Sequence, residues 1–430
     1  MSWGETATAP SLPAAPDAQK TYDLAALIDL AQETNPQTRQ AWEEAKAAAS
    51  RAGIAGARFL PSLALAGFGG YSRIESRTAL GPVYTEGPSL TTRLLLNWTL
   101  MDFGRRDAEL DSAMQELLRF NWQFNRKHQE IAYAVQRHYY RTAALQARLQ
   151  SAQATVTTAQ SVLTAADVRL SHGLATRSDL LLARQELARA NFDLQTARRD
   201  LTDERAALAE ALGVSPAAPL KLAEWSEQPA PQLPDAVEQV MDSALQQRPD
   251  LAAKLAELRA REAEVRKAQS AYLPTIGLAA SVGGTGGSFR PSVNARSYDY
   301  AEPIYNAFLT FSWDIFDGYA REHGVREAEA RAGQAKAELD SQQLKALREV
   351  WKAYADVKAA QLQINYAEAL VQTAEDAYAG TLEGYRSGLN NIVELLAAER
   401  DLSQARTTRI DSRAELLTAS AALAFASGSN

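Results

Sequence analysis

From Arg105 to Leu170 the chain carries neither Pro nor Gly. At 1.5 Å per residue this run of roughly 65 residues makes a helix about 100 Å long, an element that a coiled coil or a tube needs and an ordinary globular domain does not. The run breaks at Ser171-His172-Gly173-Leu174, and a second long helix is expected from Ser178 to Leu212, with Gly213 as its cap. Upstream, a helical pattern begins at Tyr22 and stops at Phe59-Leu60-Pro61, because Pro61 cannot continue a helix and disfavours helical geometry at Leu60. The period then changes to two. Leu63, Leu65, Gly67, Gly69 and Tyr71 alternate with Ala64, Ala66, Phe68 and Gly70, and a second strand places Thr92, Leu94, Leu96 and Trp98 on one face. Between them Gly81-Pro82 and Gly87-Pro88 read as a loop. Asp102-Phe103-Gly104 closes the hairpin, with Asp102 poised to accept free N–H groups at a helix start and Gly104 relieving the turn.

This order occurs twice. Asn35-Pro36 returns as Arg248-Pro249 and Phe59-Leu60-Pro61 as Tyr272-Leu273-Pro274, so that Pro36 and Pro61 both meet their copies 213 residues later. Asp102 returns as Asp317, followed by Gly318, and Gly173-Leu174 returns as Gly388-Leu389, each 215 residues on. Four landmarks in one order with a drift of two residues make an internal duplication. The expected layout is an extended N-terminal arm (1–21) and a first repeat (22–212) with a hairpin at about 62–101 and long helices at 104–171 and 178–212. A Pro-rich connection (213–236) leads to a second repeat (237–424) with a hairpin at about 275–316 and long helices at 318–384 and 391–424, and a tail (425–430). The second hairpin holds the glycine-rich loop Gly283–Gly287 and a strand with Ala307, Leu309, Phe311, Trp313 and Ile315 on one face.

Four strands of about ten residues cannot close a barrel, and an open sheet leaves unpaired edges. An apolar face opposite a polar one is the alternation of a bilayer-spanning barrel strand, so closure has to come from other copies of the chain. Trp98, Trp313, Tyr71, Tyr298, Tyr300 and Tyr305 lie near strand ends, where interfacial aromatics belong. The long helices carry Ala, Leu and Val stripes flanked by polar residues, which suits the wall of a hollow cylinder; an antiparallel coiled coil fits the helices alone equally well.

Several function classes drop out. A net charge of −7 argues against broad nucleic-acid binding, and the absence of Cys excludes disulfides, thiolate metal sites and a Cys nucleophile. No apolar stretch reaches the length of a transmembrane helix. Met1-Ser2-Trp3-Gly4-Glu5 lacks the basic and apolar regions of a signal peptide, so the sequence is expected to start at the mature chain with an added Met. His128, His138, His172 and His323 have no metal-ligand spacing, Gly283–Gly287 lacks the Lys-Ser or Lys-Thr of a phosphate cradle, and no nucleophile constellation occurs. No enzyme and no cofactor is expected.

The order of elements resembles that of the TolC-like outer-membrane efflux proteins, from about Tyr22 to Ala424. The resemblance is carried by the junctions at Pro61 and Pro274, the strand-to-helix turns at Asp102 and Asp317, and the segments Gly173–Asp179 and Tyr385–Glu394. It implies a mainly α fold with a transmembrane β-barrel part. In it, three chains pool four strands each into a twelve-stranded barrel on a long α-helical tunnel through the periplasm of a Gram-negative cell. It implies as partners a periplasmic adaptor, through it an inner-membrane transporter, and outer-membrane lipid. Gly173, Leu174, Gly388 and Leu389 become the adaptor-docking tips. Asp179 and Tyr385 become gate residues at the periplasmic entrance, and Glu394 one member of an acidic ring whose mutual repulsion raises some of its carboxyls. The family's founding member has Arg where Asn390 stands and an acid where Ala397 stands, so this gate is expected to be less salt-bridged, with Arg177 or Arg386 compensating. The expected function is a passive exit duct for drugs, metals or other small molecules. The alternative is the duct of a type I protein secretion system, and from another class, a soluble coiled-coil scaffold or periplasmic adaptor.

Overall fold

The computed structural model describes residues 17, 19–79, 81–223, 236–289 and 296–429. Its elements in chain order are β1 (Thr21–Tyr22), α1 (Leu24–Thr34), α2 (Pro36–Ala57), β2 (Ser62–Thr78), β3 (Gly81–Met101), α3 (Arg105–Ser171) and α4 (Arg177–Leu212). After β4 (Lys221–Leu222) the series repeats as α5 (Val237–Gln247), α6 (Pro249–Ser270), β5 (Thr275–Phe289), β6 (Tyr298–Ser312), α7 (Ala320–Ser387) and α8 (Ile392–Ser427). Their contacts divide the chain into two compact units. One holds Glu44–Asn121 and Ala253–Asp340, and the other holds the remaining described residues.

In the first unit β2, β3, β5 and β6 form one antiparallel sheet in that order, so the two hairpins are joined by β3 and β5 while β2 and β6 keep free edges. The strands are 15 to 21 residues long rather than about ten. The segments read from sequence as loops, Gly81–Pro88 and Gly283–Gly287, are strand. Proline survives there because Pro82 and Pro88 precede the stretch of β3 that pairs with β5, and Pro303 sits on the edge strand β6. Glycine is demanded at Gly283, where a Cβ would stand 2.0 Å from the Thr92 carbonyl oxygen. One sheet face turns large apolar side chains outward in the single chain: Leu63, Leu65, Leu309 and Phe311 are all exposed. Trp313 and Ile315, placed on β6 by alternation, lie beyond its last residue.

Both hairpins are tied to their junctions in the same way. The Trp98 indole N–H donates to the Phe59 carbonyl oxygen at 2.9 Å, and Trp313 donates to Tyr272 at 3.0 Å. Asp102 Oδ2 accepts from the Arg106 backbone and guanidinium, and Asp317 Oδ2 from those of Arg321, fixing each strand-to-helix turn. Gly104 and Gly318 take the left-handed φ that these turns need.

In the second unit, Asn35-Pro36 and Arg248-Pro249 split each opening helical stretch in two, since the residue before Pro leaves the helical region. β1 pairs in parallel with β4, tying the arm's last residues to the connection. Residues 224–235 of the connection, with Pro229, Pro231 and Pro234, and most of the arm lie outside the described residues. α7 and α8 begin and end later than the periodicity suggests. In particular, helix continues through Ser427 and ends at Gly428 in left-handed geometry, so the first half of the expected tail is helical. Arg248 is the largest fully buried side chain, donating to Asp250, Glu349 and the Ala426 carbonyl oxygen. No helix among the described residues is long and apolar enough to cross a membrane.

Candidate functional site

The two turns between long helices are built alike. α3 ends in a paired motif in which the Leu174 N–H donates to the Arg169 carbonyl and the Gly173 N–H to Leu170, with Gly173 at φ +70°. α7 ends the same way: Leu389 donates to Gly384, Gly388 to Tyr385, and Gly388 takes φ +83°. Each following helix starts with a capping box. Thr176 caps α4 with Asp179 returning the bond to the Thr176 N–H, and Asn391 caps α8 with Glu394 doing likewise. The same local chemistry at both positions makes the helices reverse direction sharply, leaving Leu174 and Leu389 strongly exposed at the tips.

Behind the turns, Val162, Ala166, Leu180, Ala183, Ile392, Leu395 and Leu396 pack around the buried ring of Tyr385. Arg169 from α3 lies over that ring at 4.7 Å and donates to the Tyr385 carbonyl oxygen at 2.7 Å. The Tyr385 hydroxyl is buried with no partner among the described residues. Burial pushes its pKa up, with Arg169 opposing and Asp179 adding to the rise. Glu394 is exposed and accepts from the Asn390 amide at 2.7 Å; that bond, with help from the Asn391 N–H, holds its carboxyl below the usual range. Within one chain the hydrogen bonds therefore act against the upward push that a ring of three carboxylates would exert.

Arg386 pairs with Glu383 at 3.7 Å, and among the described residues Arg177 has no ion pair. The cation on Tyr385 is thus Arg169, which sequence reasoning passed over. Its position in the last turn of α3, four residues before the tip glycine, was the available signal. The tip of α7 is also tight: a Cβ on Gly384 would meet Asn390 Oδ1 at 1.7 Å. Among the described residues no group of three or more His, Cys, Asp or Glu is arranged to hold a metal.

The family described as Outer membrane efflux protein matches residues 27–214 and 240–429, one match for each repeat. The chain belongs to that family. Protein CyaE of Bordetella pertussis is 31% identical over 433 residues, spanning 99% of this chain and 88% of that protein. Outer membrane protein TolC of Salmonella enteritidis is 28% identical over 165 residues, 38% of this chain and 33% of TolC. Among solved structures, the outer-membrane channel OprN superposes with a TM-score of 0.82 at 20% identity, covering 99% of each chain. VceC of Vibrio cholerae gives 0.78 at 22% identity, covering 94% of this chain and 96% of its own. The protein is therefore an outer-membrane channel of the TolC type that extends into the periplasm, a transport protein and not an enzyme. Channels of this family assemble as trimers.

Proposed function

We propose that this channel is the exit duct of a protein secretion system, receiving a polypeptide at its periplasmic entrance and releasing it outside the cell. The observation that carries the reading is the end-to-end match to Protein CyaE. It is supported by 25% identity over 52% of the chain to the alkaline protease secretion protein AprF of Pseudomonas aeruginosa. In this reading three chains join the free edges of β2 and β6 into a twelve-stranded barrel, since an open sheet in lipid would leave its edge N–H and C=O groups without partners. Gly173, Leu174, Gly388 and Leu389 meet a periplasmic adaptor, itself joined to an inner-membrane transporter. Asp179, Tyr385, Asn390, Glu394 and the neighbouring Arg177 and Arg386 line the entrance. Ala397 in place of a second acid leaves that entrance with few ion pairs to break.

Small-molecule efflux is the second reading, favoured by 26% identity over 53% of the chain to the Outer membrane efflux protein BepC of Brucella suis. Deletion of the gene in its host separates the two. Loss of one or a few proteins from the culture supernatant, with unchanged drug and metal susceptibility, is the expected result. Hypersensitivity with an intact set of secreted proteins would refute the secretion reading.

A further inference from the structure

Five residues beyond Glu394, about 7.5 Å further along α8, stands Glu399. It is 5% exposed, and neither carboxylate oxygen has a partner among the described residues. It lines a cavity of about 310 Å³ together with Ser151 and Thr155 of α3, Glu186 of α4, and Arg400 and Ser403 of α8. Glu186 is itself buried, and among the described residues the one guanidinium next to both acids, that of Arg400, donates to Glu186 at 3.1 Å.

The other cations around the cavity are committed elsewhere. Arg148 of α3 pairs with Asp411, Arg189 of α4 lies 3.9 Å from Asp193, and Arg406 of α8 pairs with Glu375 of α7. Asp193 and Asp200 of α4 also line the cavity, Asp200 paired with Arg199, and Tyr378 of α7 has its hydroxyl pKa raised by burial and then by Glu399. Two buried acids therefore share one cation, and the one left over is the one whose oxygens touch nothing. A carboxylate cannot stay charged, dry and unpaired, because desolvation disfavours the ionised form.

We propose that Glu399 is a proton-operated latch behind the channel entrance: protonated, it lets α4 and α8 pack closely, and ionised, it must draw water into the cavity and loosen them. Burial, with Glu186 adding and Arg400 opposing, pushes its carboxyl up from 4.5 to about 7. The sign follows from proton counting. The packed arrangement binds the proton more tightly than a hydrated one, so packing is favoured at acid pH. That bias is lost as pH rises from the ordinary carboxylate range through about 7. A separation of this size corresponds to a bias of up to about 300-fold between packed and loosened states. The inference rests on reading the α7–α8 turn as the entrance.

The test is single-channel recording of the full-length trimer in planar bilayers from pH 5 to pH 8, with infrared spectra of the same preparation. Wild-type open probability should rise through about pH 7 while a protonated-carboxyl band disappears. Glu399→Gln, a permanently neutral copy of the same shape, should lack the band and stay in the low-conductance state at alkaline pH. Glu186→Gln should move the transition to more acid pH, since it removes the acid that raises Glu399. A Glu399→Gln channel that conducts and keeps the wild-type pH response overturns the latch. So does a wild-type spectrum with no carboxyl titrating near neutrality, a result that does not depend on conduction. If Glu394→Ala leaves conductance unaltered while Glu399→Gln abolishes its pH response, the latch stands and the entrance assignment at the turn fails.

Discussion

Two glycines with almost the same backbone angle allow conformational strain to be separated from steric fit. Gly173, at the α3 tip, has φ +70° and open space where a Cβ would go. Gly213, after α4, has φ +72°, and a Cβ there would stand 2.7 Å from Asn35 Cα and 2.8 Å from the Thr34 carbonyl oxygen. Those contacts are backbone, so nothing can rotate aside. Gly173→Ala therefore suffers only the left-handed penalty, about 1–2 kcal/mol. Gly213→Ala suffers the same penalty plus overpacking of about 1–3 kcal/mol, for a total of about 2–5 kcal/mol. The displacement also strains two bonds that lock α1 onto α4, Thr34 Oγ1 to the Leu212 carbonyl at 2.6 Å and Asn35 Nδ2 to Ala211 at 2.8 Å. The assay is guanidinium unfolding in detergent followed by helical circular dichroism, with the midpoint difference between the variants as the readout at constant slope. Equal loss in both variants would refute the steric argument and leave only the backbone angle.

Asn390→Ala should return the Glu394 carboxyl upward toward the ordinary carboxylate range, since the Asn390 amide bonds the ionised form. The favourable contribution of that bond is present above the ordinary range and fades as pH falls through the depressed value. In Asn390→Ala the loss of cation block on acidification should therefore set in at higher pH than in the wild type. Arg248→Ala should destabilise by about 3–5 kcal/mol, because two carboxylates and a carbonyl lose a buried guanidinium; chemical denaturation measures it. Trp98→Phe and Trp313→Phe should each cost about 0.5–1.5 kcal/mol for the lost bond to the junction carbonyl, and equally, because the two sites repeat each other. A thermal melt in which only one matters would break that equivalence.

The duplicated order of strands and long helices was legible because its signals are local. Proline at Pro61 and Pro274 stops a helix wherever it stands, and an uninterrupted run from Arg105 has no means to turn. Strand extent was less legible. Glycine at Gly283–Gly287 marks a loop by propensity, yet here it permits the close approach of β3 and β5. At the turns, Gly173 and Gly388 announce reversals by residue type alone, whereas Arg169 meets Tyr385 across 216 residues and Arg400 meets Glu186 across 214. Periodicity tells which face of an element is apolar, and composition tells where it stops. Which faces meet depends on long-range packing. That packing alone paired β3 with β5, set Arg169 over Tyr385, and left the oxygens of Glu399 without a partner in a buried cavity.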